Sequence, residues 1–133
     1  MLALVIDESS LMRMILKRTV TPLGFDVIEV RGAAEAVELL ARLQRAPDLA
    51  LVAWNSPQMD VAEFIETVRA DPKLAFMTLV MVTSESDQRQ ALHALAGAAH
   101  GHVIRSFTAN ARDENLVLLG LVPTVTWPVR LAV

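Results

Sequence analysis

Two unbroken apolar runs, Leu2–Ile6 and Leu49–Ala53, constrain this chain more than any other feature. Each is too short for a stable helix and is bounded by polar residues. Such runs suit strands buried on both faces, the usual condition inside a parallel sheet. A third run, Thr78–Val82, ends in Thr83-Ser84, and Phe25–Val30 reads as a more exposed strand carrying Asp26 and Glu29. Helical spacing fills the intervals. In the first interval Leu11, Met14, Ile15 and Val20 fall on one face, with Arg13, Lys17 and Arg18 opposite; Ser9 and Ser10 are N-cap candidates, and Pro22 and Gly24 end the helix. The spacing predicts helices over Ala33–Leu43, with Ala34, Val37, Leu40 and Ala41 inward, and over Val61–Ala70, with Val61, Phe64, Ile65 and Val68 inward. It predicts a further helix over Asp87–Ala99, a short fifth strand over His102–Ile104 and a closing helix over Ala109–Leu121. Strands alternating with helices at this spacing build a parallel sheet with helices on both faces, an α/β architecture.

Composition narrows the function. At 133 residues and 53% apolar the chain is expected to form one globular domain. The net charge is −3 and the 12 basic residues are scattered, which argues against nucleic-acid binding. No run of about 18 apolar residues reads as a membrane span, and the first residues lack the basic region of a secretory signal. A cytoplasmic protein is expected. The absence of Cys removes thiol nucleophiles and Cys-ligated metals.

In open parallel sheets, ligands collect beyond the carboxyl ends of the strands. The residues just past those ends are Asp7-Glu8, Ala53-Trp54-Asn55, Thr83-Ser84 and Arg105-Ser106. Carboxylates there would suit a divalent cation, and hydroxyl and guanidinium donors would suit phosphate oxygens. Trp54, beside the crevice, would either anchor a partner or pack over the pocket. Ser56 and Ser84 have no base at a useful spacing and are poor candidates for a phosphoacceptor.

From residue 2 to about 110 the chain resembles the receiver domains of bacterial response regulators, the CheY-like family. Val5-Ile6-Asp7-Glu8 is similar to the family's first strand and acidic pair. Trp54-Asn55-Ser56-Pro57-Gln58-Met59-Asp60 is similar to its loop after the third strand, Met81-Val82-Thr83-Ser84 to its switch threonine, and Ala98–Phe107 to its G-A-x-G-[YF]-[VI]-x-K-P-F segment. The resemblance implies a doubly wound (βα)5 flavodoxin-like fold: a five-stranded parallel sheet of order 2-1-3-4-5 over residues 1–122. Residues 123–133 would form an apolar tail that buries itself or meets a partner. It also implies a module of two-component phosphorelay signalling that is not an enzyme.

Departures from the family pattern carry most of the functional expectation. The family places its phosphoacceptor aspartate where this chain has Ala53, and a methyl group has no oxygen to carry a phosphoryl group. Asp7, Glu8 and the Asn55 carbonyl are what remains of the acidic metal pocket. Mg2+ would be absent there or weakly held as a hydrated ion on Asp7 and Glu8, and no cofactor is required. Thr83 and His102 match the switch positions and Arg105 matches the family lysine; Arg105 is expected to pair internally with Asp7 or Glu8. Ser106 replaces a proline that follows a cis bond, so a trans bond is expected. The sequence therefore predicts a pseudo-receiver acting through protein contact. Its partner would be a histidine kinase, phosphotransfer or output protein, docked on the helix 4–strand 5–helix 5 face, or a second copy of itself. Two other readings stand beside it. One is an ordinary receiver whose acceptor was replaced, by engineering or recently. The other is a small-ligand-binding flavodoxin-like domain, although no Gly-rich phosphate loop follows the first strand.

Overall fold

A computed structural model describes residues 1–53, 61–84, 89, 102–111 and 114–123, with backbone alone for 61–62, 84, 102–111 and 114–123. The element order is β1 (Leu2–Ile6), α1 (Ser10–Val20), a 3-10 turn (Thr21–Leu23), β2 (Asp26–Val30), α2 (Ala33–Arg42), β3 (Leu49–Ala53), α3 (Val61–Ala70), β4 (Thr78–Ser84), β5 (His102–Ala111) and β6 (Glu114–Pro123). The expected helix over Asp87–Ala99 and the loop at Trp54–Asp60 lie outside the described residues, apart from Arg89, which is helical. Gly24 closes the 3-10 turn at φ 96°, a left-handed conformation that a side chain would strain.

Strands β1 to β4 pair in parallel in the order β2-β1-β3-β4. The apolar runs are explained by two-sided burial. Leu4 and Ile6 of β1, with Ala50 and Val52 of β3 and Leu79 and Met81 of β4, pack under α2 and α3 against Ala36, Leu40, Phe64, Ile65 and Val68. The alternate residues Ala3, Val5, Leu49, Leu51, Val80 and Val82 pack under α1 against Leu16 and Val20. A polar residue on either face would lose its water without gaining a partner.

The inward face of α1 differs from the expected one. Leu11 and Met14 are exposed, while Met12, Ile15, Leu16 and Val20 meet the sheet. Two overlapping apolar stripes exist on this helix, and docking against β1 and β3 selects one of them. In α2 likewise, Ala33 and Ala36 are buried and Ala34 is exposed.

The larger difference is at the carboxyl-terminal side of the sheet. The expected short fifth strand runs on to Ala111, and the expected helix over Ala109–Leu121 is replaced by β6. β6 pairs antiparallel with β4, from Leu79↔Leu121 to Ser84↔Leu116, and β5 pairs antiparallel with β6 outside it. The sheet is therefore six-stranded and mixed, of order β2-β1-β3-β4-β6-β5, rather than five-stranded and wholly parallel. The cause is legible in composition. Leu116–Val122 is almost wholly apolar, like β1 and β3, and suits a strand with a neighbour on each side. β5 carries Arg105, Ser106, Thr108 and Asn110 and takes the edge. No peptide bond among the described residues is cis, which includes the bond before Ser106.

Candidate functional site

The parallel register brings three strand ends level. Ile6 lies beside Val52 and Ala53 beside Val82, so Asp7, Ala53 and Thr83 gather at the carboxyl edge of the sheet. The Asp7 backbone N–H donates to the Val30 carbonyl at 3.2 Å, which extends the β1–β2 pairing into the acidic loop. Asp7 Oδ1 accepts the Ser9 N–H at 2.9 Å, and Ser9 Oγ accepts the Met12 N–H at 3.2 Å as the N-cap of α1. One Asp7 oxygen is thus engaged in a local turn. Glu8 is exposed, Ala53 is half-buried and Thr83 is buried.

Arg13, which the sequence places on the outer face of α1, reaches the acidic loop. Its Nη1 donates to the Asp7 carbonyl at 2.8 Å and to the Glu8 carbonyl at 3.2 Å, while its Nε lies 3.4 Å from Glu29 Oε1 on β2. Its side chain is 15% exposed, against 38% for Glu29, so the guanidinium is held inside the loop and its partner faces water. No sequence signal marks this, because the acceptors are backbone carbonyls.

The register places His102 and Arg105 elsewhere. Arg105 stands opposite Gly120, which stands opposite Val80, whereas Thr83 is level with Val117 and Thr108. Arg105 is therefore three residues short of the carboxyl edge, about 10 Å along the strand, and four strand spacings from β1, about 19 Å. That separation exceeds the reach of an arginine, so the expected pairing with Asp7 or Glu8 is not available. The physical reason is the length of β5: a strand ending at Ile104 would have left Arg105 at the edge, but this one continues to Ala111. His102 pairs with Pro123, near the opposite edge. Asn55, Trp54 and Ser56 lie outside the described residues.

Residues 3–115 match the response regulator receiver domain family. The chain belongs to that family. It is 36% identical over 114 residues to a chemotaxis protein CheY homologue of Campylobacter jejuni, covering 85% of this chain and 87% of that one. It is 34% identical over 119 residues to the chemotaxis protein CheY1 of Helicobacter pylori, covering 88% and 95%. Among solved structures, the chemotaxis response regulator CheY4 of Vibrio cholerae superimposes with a TM-score of 0.62 at 23% identity, over 71% of this chain and 78% of that one, and supports the CheY-like fold. A signal receiver domain of a histidine kinase from Syntrophus aciditrophicus gives 0.61 at 26% identity, over 71% and 70%. The protein is thus a receiver domain of two-component signalling, a signalling module rather than an enzyme, and receivers of this kind work with kinase and effector proteins. No helix among the described residues is long and apolar enough to cross a membrane.

Receiver domains typically bind Mg2+. The described residues offer this receiver an incomplete set: Asp7 with one oxygen committed to Ser9, an exposed Glu8 and the methyl of Ala53. Mg2+ prefers several charged oxygens in octahedral geometry. Among the described residues Asp7 and Glu8 are the carboxylates at this edge, and Asn55, the third expected ligand, lies outside them.

Proposed function

We propose that this receiver signals through protein contact without taking up a phosphoryl group. The observation that carries the reading is Ala53 at the end of β3, beside Val82 and one residue short of Thr83 in register, where the family resemblance places the acceptor aspartate. Phosphoryl transfer to a receiver forms an acyl phosphate, which needs a carboxylate oxygen as nucleophile. The alanine methyl has neither a lone pair nor a site for the new bond. In this reading Asp7, Glu8 and Asn55 are the remnant of an acidic pocket, and Mg2+ is held weakly at Asp7 and Glu8 or not at all. Thr83 is a strand-end hydroxyl at the switch position, and His102 and Arg105 match family positions in sequence only. The protein works in the cytoplasm, and its partner is a kinase, phosphotransfer or output protein. The docking face expected from the resemblance is that of helix 4, strand 5 and helix 5, where β5 takes the place of the fifth strand and β6 that of the closing helix; a second copy of the chain is the competing occupant.

The test is incubation with acetyl phosphate and Mg2+, read by intact-protein mass spectrometry. The native chain is expected to gain no phosphoryl mass. A phosphorylated native chain would end the proposal. The variant Ala53→Asp separates long drift from recent loss of the acceptor: an inert variant supports a drifted pocket, and uptake supports an otherwise intact receiver.

A further inference from the structure

We infer that Arg13 is a positioning residue that holds the acidic β1–α1 loop in its formed geometry without a divalent cation. This stands apart from the acceptor question, since the contacts involve neither Ala53 nor a phosphoryl group. Three interactions of one guanidinium carry it. Nη1 donates to the carbonyls of Asp7 and Glu8 at 2.8 and 3.2 Å, and Nε lies 3.4 Å from Glu29 Oε1. One side chain therefore ties the loop to the helix that follows it and to the neighbouring strand. The Asp7–Ser9 and Ser9–Met12 bonds sit inside that frame.

A guanidinium fits this task and an ammonium does not. Its planar fork presents donors in fixed directions, so it reaches two carbonyls and a carboxylate from one position. It also places positive charge against two successive carbonyl oxygens of a loop whose own side chains are Asp7 and Glu8. A bound cation would supply the same kind of compensation from outside. Here it comes from within the chain.

Amide hydrogen exchange on the full chain in EDTA tests this. The Ser9 and Met12 amides of the native protein are expected to be protected, and excess Mg2+ should leave their rates unchanged. Arg13→Ala should raise exchange at those two amides about tenfold. The Leu16 and Val20 amides within α1, and those of Leu51 and Val80 in the sheet, should keep their rates; a general weakening of the helix or the domain would move them too. Arg13→Lys, which keeps the charge but loses the fork, should restore only part of the protection. Glu29→Gln removes the ion partner and leaves the carbonyl bonds, so a smaller rise at the same amides is expected even if Arg13→Ala does not fold. The inference is overturned if Ser9 and Met12 exchange in EDTA as freely as in Arg13→Ala, if their protection appears only with Mg2+, or if neither variant moves them.

Discussion

The two edges of the parallel sheet solve similar problems with different chemistry. At the amino edge, cations cap loops and helix ends. Arg69 Nη1 donates to the Ala75 and Met77 carbonyls at 2.7 and 2.6 Å, and Lys73 Nζ donates to the Leu40 carbonyl at 2.9 Å and to that of Leu43 at 2.5 Å, at the end of α2. Asp48 Oδ2 accepts the Leu2 N–H at 2.8 Å. At the carboxyl edge, among the described residues, Arg13 performs the capping, and the carboxylates of Asp7 and Glu8 stand beside the strand ends. The amino edge spends its charged groups on holding the chain together. At the carboxyl edge Asp7 is bonded only to the local Ser9 turn and Glu8 is exposed.

Substitutions can break that comparison at three depths. Phe64, fully buried on the inner face of α3, belongs to neither edge. Phe64→Ala should cost about 3–5 kcal/mol in denaturant unfolding and should loosen both edges together. A loss confined to one edge would show that the two fold as separate units. Arg69→Met tests the amino edge. It removes two charge-assisted bonds and should cost about 1.5–3 kcal/mol, with exchange rising near Ala75 and Met77 and not at Ser9. Burial lowers the Arg69 pKa from the ordinary arginine value to about 10, which still leaves it charged at neutral pH. In the window that opens at about pH 10 and closes at the ordinary arginine value, the unfolded chain binds the extra proton, so the native protein should gain stability relative to Arg69→Met as pH rises through it. A difference that stays flat across that window would show that the guanidinium is not desolvated. Ser9→Ala is the mildest of the three. It removes the α1 N-cap and should cost about 1 kcal/mol by thermal unfolding, with its exchange effect confined to the carboxyl edge.

Much of the core was legible because hydropathy records local period. The runs at Leu2–Ile6 and Leu49–Ala53 read correctly as doubly buried strands, and Phe64, Ile65 and Val68 read correctly as the inner stripe of α3. Ser9 was legible as a cap from its hydroxyl and its place before an amphipathic segment. The inner face of α1 was less so, because Leu11 and Met14 compete with Met12 and Leu16 for the same role. At the candidate site, Asp7 and Thr83 were found from the rule that strand ends converge. Arg13 was missed, since a basic residue on a helix ordinarily faces water and nothing in the sequence reveals which carbonyls lie within its reach. The closing segment was misread for a related reason. The expected helix, Ala109–Leu121, overlaps the end of β5 and most of β6, and the apolar run within it suits a helix or a buried strand until pairing with β4 decides.

What the chain's order of residues determined alone is a set of local facts: where apolar runs begin and end, where helices can start, which strands need cover on two faces, and that position 53 carries a methyl group. Those facts depend on neighbours within a few residues, so they survive without any knowledge of the fold. The side of α1 that turns inward, the antiparallel β5–β6 pair and the capture of the acidic loop by Arg13 were decided by tertiary structure. The strand pair and the loop capture depend on backbone donors and acceptors, which every residue carries alike and which become specific only when distant segments meet, and the inward side of α1 depends on which apolar stripe the sheet covers.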